Sequence, residues 1–465
     1  MPGKNLIVVG QGAAGLAAAL AAAQAARGSD MAVTLVDKAS VQEAGGNTRW
    51  SPSYMRMAAV DRVETTFVHD MLAATHYQGD ETYFARLARD APATVAWIAA
   101  QGVEFIQPTY YLAKGPPRIQ PVGGGPAIVN KLAQAAKAAG VIFRHGCAAQ
   151  ALAADNNGHV SGLKVAHGDV HEEIPADAVV LACGGFEGNA ATMREHFGAG
   201  AETMQLISPG GKFNTGEGIA MALALGADRG GDWRGMHAEP VDARSKNSAP
   251  VVLVYPYGIV VDKNGQRFFD EGGGLVHETW EWFARHIQFQ TPGSIAYAIL
   301  DRRLLDIEGY ERAIRSEVPP LRADTIAELA KAIGIDAGNL AATVEAYNAA
   351  CTGDPQAFDA TLCDKLAAAP GLKPPKSNWA RAITEPPFLA YPLIGAVAYT
   401  FGGLATDNSA RVLRRGQPIP GLFAAGEITG HFYATAPNAV SVLRAFVFGR
   451  IAGLEAIAYL QGVKA

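Results

Sequence analysis

Asn5–Gly15 reads NLIVVGQGAAG, and a second apolar run, AVTLVD, ends at Asp37. Together they describe a dinucleotide-binding βαβ unit: a short strand, a glycine turn, an Ala/Leu-rich helix closing at Gly28, and a second strand that finishes on an acid. Each glycine has a mechanical task. Gly10 permits the tight turn, Gly12 lets backbone approach a pyrophosphate, and Gly15 lets helix and strand pack closely, so that the helix start at Ala13 and Ala14 faces the phosphates. Asp37, with Lys38 beside it, would accept ribose hydroxyls, and its charge would repel a 2′-phosphate. NADP is the least fitting occupant.

The whole chain sets the bounds. Its 465 residues exceed one ordinary core and point to roughly two or three domains. With 49% hydrophobic and 18% charged residues and a net charge of -5, the composition is that of a soluble globular protein without a basic surface for nucleic acid. The most apolar segments, Ala13 to Ala26 and Ala178 to Cys183, are too short or too Ala-rich to span a bilayer, and no charged leader precedes Asn5. The expectation is a cytoplasmic protein with no integral membrane segment. Cys147, Cys183, Cys351 and Cys363 have neither CxxC spacing nor nearby His partners, so neither a metal site nor a redox pair is expected.

Glycine and proline clusters punctuate the chain. Gly45 and Gly46 stand in AGGNTRWSPSYMR, a helical stretch follows from about 80 to 101 with a restart at Pro92, and Gly123 to Gly125 open the helix PAIVNKLAQAAKAAG. Strands are expected at Val141–Phe143, Val160–Val165 and Ala178–Ala182, the last running into Gly184 and Gly185. From about Trp233 the texture changes to VVLVYPYGIVVD and charge-bearing helical segments near 279–286 and 323–350. A proline-rich stretch, Lys373 to Pro387, leads back to strand and glycine idiom: a strand ending at Gly426 in IPGLFAAGEITG, then a long apolar helix from Val440 to Leu460. The expected fold class is α/β, a split Rossmann-type FAD-binding domain with an inserted α+β capping domain. Residues 1–232 and 386–465 would form the two parts of the first and residues 233–385 the cap, with a substrate cleft at the junction. The return to a second glycine-rich turn after a long insertion favours FAD over NAD.

Several motifs in order, VVGQGAAGLAAA, AGGNTR, NTGEGIAMALALGA, GIVVDKNGQRFFDE, TFGGLATD and PIPGLFAAGEITG with VFGRIAG, resemble the fumarate reductase and succinate dehydrogenase flavoprotein family over essentially the full length. WRGMHAEPVDAR, RFFDEG and GEITGHFY are most similar to its tricarballylate dehydrogenase branch. The resemblance implies that Gly10, Gly12, Gly15 and Asp37 hold the ADP part of FAD, that Gly46, Asn47 and Thr48 lie along the pyrophosphate or isoalloxazine, and that Glu427 binds the ribityl chain. Gly184, Gly185, Asn214, Thr215, Gly216, Gly426, Asn438, Val440 and Ser441 complete the expected cofactor set. If the last helix starts near Asn438 to Val440, its free N–H groups and positive dipole end stabilise the negative charge that reduced flavin gathers around N1 and O2. Family members with covalent FAD attach it through a histidine that AGGNTRW lacks, so the FAD is expected to be non-covalent.

In this family a hydride passes between flavin N5 and a carbon while a protein group handles the proton on the neighbouring carbon. Three polar groups of the fumarate reductase pattern are missing: GGGLVH follows Glu271 where an arginine is expected, Tyr399 replaces a histidine, and HFYATAPNAV lacks the late arginine. Reduction of fumarate itself is therefore not expected. His237 in GMHAEP corresponds to the remaining histidine and could orient a carboxylate or serve as a structural residue. Tyr399 and Tyr433 could bind a carbonyl or carboxylate oxygen, or pack in the core. Arg444, inside an apolar helix, needs an anionic partner, a substrate carboxylate or a buried acid. His277 and Arg285 fall where the missing arginine would act, in HETWEWFARH, which also reads as a solvated helix.

The leading expectation is an FAD-dependent dehydrogenase that introduces a carbon–carbon double bond next to a carboxylate of a small organic acid, tricarballylate-like, or the reverse enoate reduction. FYATAPNAV also resembles the tyrosine-bearing turn of ketosteroid dehydrogenases, which makes desaturation beside a ketone, in a keto-acid substrate, the alternative. A flavin electron-transfer subunit is the reading of another class. The electron acceptor, a quinone or an iron–sulfur partner, stays open.

Overall fold

The computed structural model describes residues 3–112 and 114–463. Asn5–Val9 is a strand flanked in parallel by Ala32–Asp37 on one side and Ala178–Leu181 on the other. Ile142–His145 extends the sheet beyond Ala32–Asp37, while Gln417–Ala424 pairs in parallel with Ala178–Leu181 and carries the antiparallel edge strand Arg411–Arg414. Six strands from both ends of the chain thus form one sheet. Its central strands are continuous apolar runs because both faces are covered.

The first helix, Ala13–Ala25, is buried almost all round, and the last helix, Ser441–Gln461, lies against it. Small residues make that possible. A Cβ at Gly449 would lie 2.3 Å from the carbonyl oxygen of Ala14, and one at Gly453 would lie 2.2 Å from that of Ala18. The expected restart at Pro92 does not occur: Glu81–Ala99 is one helix with Pro92 inside it, and Asp80 caps its start by accepting from the N–H groups of Thr82 and Tyr83. Its buried face, which includes Tyr83, Phe84, Leu87, Val95 and Ile98, outweighs the hydrogen bond that proline cannot make.

A second sheet is built on Phe388–Thr400, which pairs in parallel with Gln205–Leu206 and antiparallel with Met236–Asp242, Ala296–Leu300 and Leu321–Ala323. Ile259–Asp262 pairs with Ala296–Leu300. The helical stretch expected over 323–350 is two helices, Ile326–Ile333 and Ala337–Ala350, broken at Gly334, whose φ of +75° ends the first. Helix Val276–Gln290 rests on the second sheet, and the RFFDE motif fixes the turn before it. Arg267 and Glu271 form a buried pair at 2.6 Å, Glu271 also accepts from the Val260 N–H at 2.7 Å, and the Lys376 ammonium stands 3.7 Å away. Among the described residues no helix is long and apolar enough to cross a membrane, and no group of three His, Cys, Asp or Glu could hold a metal. The four cysteines are free thiols.

Because Gly453 meets backbone rather than a movable side chain, Gly453→Ala is expected to destabilise the fold by about 1–3 kcal/mol despite alanine's better helix propensity. Urea unfolding of the variant and wild type measures the difference.

Candidate functional site

A cavity of about 1960 Å³ of atom-free space, part of it open to solvent, is lined by residues of both sheets. Its glycines divide into two kinds. Gly10 and Gly15 are packing residues: a Cβ at Gly10 would lie 2.4 Å from the Ala182 carbonyl oxygen, and one at Gly15 would lie 1.8 Å from that of Gly10. Gly12 and Gly46 instead face open space. A Cβ at Gly12 would meet nothing nearer than 4.0 Å, and one at Gly46 only the Cα of Gly12 at 3.8 Å. These two positions form a bare backbone cradle, and substituents there would fill the cavity rather than strike protein.

Two helix starts open on the same space. The first helix starts after Gly12 and the last after Val440, neither of which makes a side-chain cap, so positive dipole ends meet the cavity at Ala13, Ala14, Ser441 and Val442. Such a surface fits a pyrophosphate and an anionic ring, as FAD presents. At the first start, the Asp37 carboxylate accepts from the N–H groups of Gln11 and Ala39, each at 2.7 Å, and burial raises its pKa against those hydrogen bonds. Thr48 accepts from the Ala13 N–H at 3.2 Å, and Lys38 donates to Thr215 and Glu217.

Deeper in, Glu427 accepts from the Thr400 N–H at 3.0 Å and from the Asn214 amide at 3.3 Å. The same amide donates to Glu187 at 2.7 Å, as does Asn47 at 2.9 Å. Gly184 and Gly185 allow this approach, since a Cβ on either would lie 2.3 Å from Asn214 or Glu427. Burial raises the pKa of both carboxyls, and the charge of Glu427 lifts Glu187 well above the usual range. Glu187, absent from the sequence expectations, is thus a neutral acid beneath the cradle.

His237 and Tyr399 are register partners on antiparallel strands, their rings stacked at 5.0 Å, with a β-bulge at His237/Ala238. The buried imidazole reaches Glu281 through Nδ1 at 2.7 Å and Glu239 through Nε2 at 3.2 Å. Burial pulls its pKa down, but hydrogen bonds to the two glutamates and their charges outweigh this and set it at about 9. Burial raises the Tyr399 phenol. Helix Val276–Gln290 supplies His277 and Trp280 to the same wall from one face. Burial and the cations Arg118 and Arg56 push His277 down to about 4, so it is neutral.

The cavity therefore brings together Gly10, Gly12, Ala13, Ala14, Asp37, Lys38, Gly46, Asn47, Thr48, Gly184, Asn214, Gly426, Glu427, Asn438 and Ser441 with His237, His277, Tyr399 and Arg444. Gly15, Gly185, Thr215, Gly216 and Val440 stand behind its wall. Tyr433 does not line it; its hydroxyl accepts from the Gly231 N–H at 3.2 Å. Arg285 lies outside, against Trp282. Arg444 is 1% exposed, lies 4.1 Å from the Phe432 ring and donates to the Thr429 carbonyl at 3.2 Å. No Asp or Glu of the described residues is within 4.0 Å of it. Sequence reasoning missed Arg118, Arg315, Glu239, Trp280 and Tyr54, which line the same cavity. Only Glu239, two residues from His237 on a strand and so on the same face, carried a readable signal.

Two outcomes are expected. Gly12→Val should fold, since a Cβ there meets nothing nearer than 4.0 Å, yet bind far less flavin, read as the ratio of visible to ultraviolet absorbance. The His237 pKa is raised from 6.5 to about 9 on folding, so its ion pairs stabilise the fold fully below about pH 6.5 and the gain is lost as pH rises through 9. Urea midpoints measured from pH 6 to 10 should fall over that window in the wild type and stay flatter in His237→Gln.

The family profile described as "FAD binding domain" matches residues 5–440. The chain is 30% identical to a probable fumarate reductase of Shewanella frigidimarina, over 97% of this chain and 74% of that protein. It is 32% identical to the 4-oxocyclohexanecarboxylate 2-dehydrogenase of Sinomonas cyclohexanicum, over 67% of this chain and 57% of that one. Among solved structures, the open conformation of a flavocytochrome c3 fumarate reductase superposes with a TM-score of 0.77 at 27% identity, over 98% of this chain and 79% of that chain. The chain belongs to the FAD-binding family of the fumarate reductase flavoproteins, and it is an FAD-dependent oxidoreductase acting on CH–CH groups.

Proposed function

We propose that the protein oxidises the carbon–carbon bond next to a carboxylate of a small organic acid, a tricarballylate-like acid being one such substrate, or reduces the corresponding enoate. The observation that carries this reading is His237, clamped between Glu239 and Glu281 in the wall of the cavity that holds the glycine cradle. A saturated carbon pair gives up a hydride from one carbon and a proton from the next. FAD supplies the hydride acceptor. Glu239 lines the cavity and takes the proton, with His237 and Glu281 spreading the charge behind it; in the reverse direction the same chain gives the proton back. Glu427, Asn214 and Asn47 hold the cofactor, and Glu187 keeps them in place. A quinone or an iron–sulfur partner then removes the electrons.

A second reading is favoured by Tyr399. Its phenol stays protonated, so it can donate a hydrogen bond to a carbonyl oxygen and polarise a ketone. A cyclic keto acid, such as the one named for the Sinomonas relative, would suit both readings.

Anaerobic mixing of FAD-loaded protein with small saturated acids, ketones and keto acids is the test. Bleaching of the visible band by acids lacking a ketone is the expected result. Bleaching by neutral ketones alone transfers the function to the second reading, and bleaching by none of them while dithionite still reduces the flavin leaves an electron-transfer protein.

A further inference from the structure

The cavity wall carries two cations that the chemistry above does not use. Arg118 is 4% exposed and lies between the rings of Tyr54 and Tyr110, its guanidinium carbon 3.8 and 4.0 Å from their centres. Its Nε and Nη2 are buried and have no hydrogen-bond acceptor among the described residues. Arg315 donates to the hydroxyls of Tyr54 at 3.1 Å and Tyr111 at 3.4 Å. Neither guanidinium has an Asp or Glu of the described residues within 4.0 Å, whereas nearby Arg56 is neutralised by Asp70 at 2.6 Å. Tyr54 thus joins the buried Arg118 to the half-buried Arg315 in the cavity wall.

Burying a guanidinium beside aromatic rings leaves its charge largely uncompensated, because cation–π attraction is weaker than the lost hydration. Buried N–H donors without acceptors add to that cost. A carboxylate accepting from guanidinium N–H groups removes both penalties and suits arginine's planar array of donors. His277 stands close by, its ring 5.3 Å from that of Tyr110 and its Nδ1 buried without a partner, and offers a neutral third contact. Arg444 is less free for this task. It already donates to the Thr429 carbonyl, and its charge acts on the Glu427 carboxyl.

Resting on the acid-oxidising reading, we propose that Arg118 and Arg315 form the subsite that grips the substrate carboxylate, and that they make the cleft select acids over uncharged analogues of the same shape. Tyr54 and Tyr110 are positioning residues that hold the two cations in place. Tyr110 also donates to Asn438 at 3.1 Å, which couples the subsite to the turn before the last helix.

The experiment titrates the FAD-loaded full chain with propionate, crotonate and cyclohexanecarboxylate, each paired with its amide, and follows the perturbation of the visible flavin band. The wild type is expected to bind at least one acid about tenfold or more tighter than its amide, in line with a charge-assisted hydrogen bond. Arg118→Gln should abolish that preference. Arg118→Lys, which keeps the charge but not the planar donors, should retain FAD and lose most of it, so a folding defect in the glutamine variant does not decide the matter. Arg315→Gln should weaken it. An acid preference unchanged in all three variants overturns the subsite, and its loss in Arg444→Leu instead would leave the acid reading intact with the carboxylate held there. No preference in the wild type also overturns the subsite, and bleaching by acids then judges the acid reading on its own.

Discussion

The approach of two helices, backbone against backbone, fixes the geometry on which the cavity depends. The first helix begins at Gly12 and the last at Val440, and these are the two uncapped starts that open on the same space. Their separation is set by Gly449 against Ala14 and Gly453 against Ala18, where no Cβ fits. A rigid contact along their lengths therefore holds two positive dipole ends in place without a charged side chain at either one. It also explains how segments at opposite ends of the chain build one cofactor surface. The strand Gln417–Ala424 enters the sheet beside Ala178–Leu181 and delivers Glu427 next to Gly185.

Around that surface, charge is graded. Beneath the cradle, Glu187 and Glu427 share buried space with no cation of the described residues in contact, so one of them must hold a proton. A neutral acid there provides a hydrogen-bond donor and acceptor without adding a second negative charge near a reduced flavin. Elsewhere in the cavity lining the imbalance is reversed, with no Asp or Glu of the described residues within 4.0 Å of Arg118 or Arg315. In the same cavity His237 carries a proton that two glutamates stabilise. Buried ionic groups of this kind cost stability relative to apolar packing, and their concentration in one cavity marks a surface shaped for chemistry.

Much of this was legible in the sequence, and the reason differs by residue. Gly10 to Gly15 and Asp37 were readable because local backbone geometry demands them in a fixed spacing. Even so, the sequence could not separate Gly10 and Gly15, which pack against carbonyls, from Gly12, which faces open space. His237 stood out through its motif, while Glu281, its nearer partner at 2.7 Å, arrives from a helix whose pattern reads equally well as a solvated face. Pro92 misled because its local effect is real but a long buried face overrides it. Arg118 and Arg315 gave no signal at all. Arg118 stands in GPPRIQP and Arg315 in ERAIRSEVPP, segments with no motif, and only the tertiary fold brings both beside Tyr54.

Within the proposed function, Glu239 is favoured as proton acceptor by what the other cavity groups cannot do. Tyr399 is held neutral by burial, so it donates but does not accept a proton from carbon. His277 is neutral, and burial with the nearby Arg118 and Arg56 cations opposes its taking up a charge. His237 is already protonated at neutral pH. Glu239 is a carboxylate that lines the cavity and keeps its hydrogen bond to the His237 cation. A proton taken by Glu239 stays next to the hydrogen-bonded chain that runs through His237 to Glu281. On the proposed function, that chain receives the one proton that oxidation of a CH–CH bond releases.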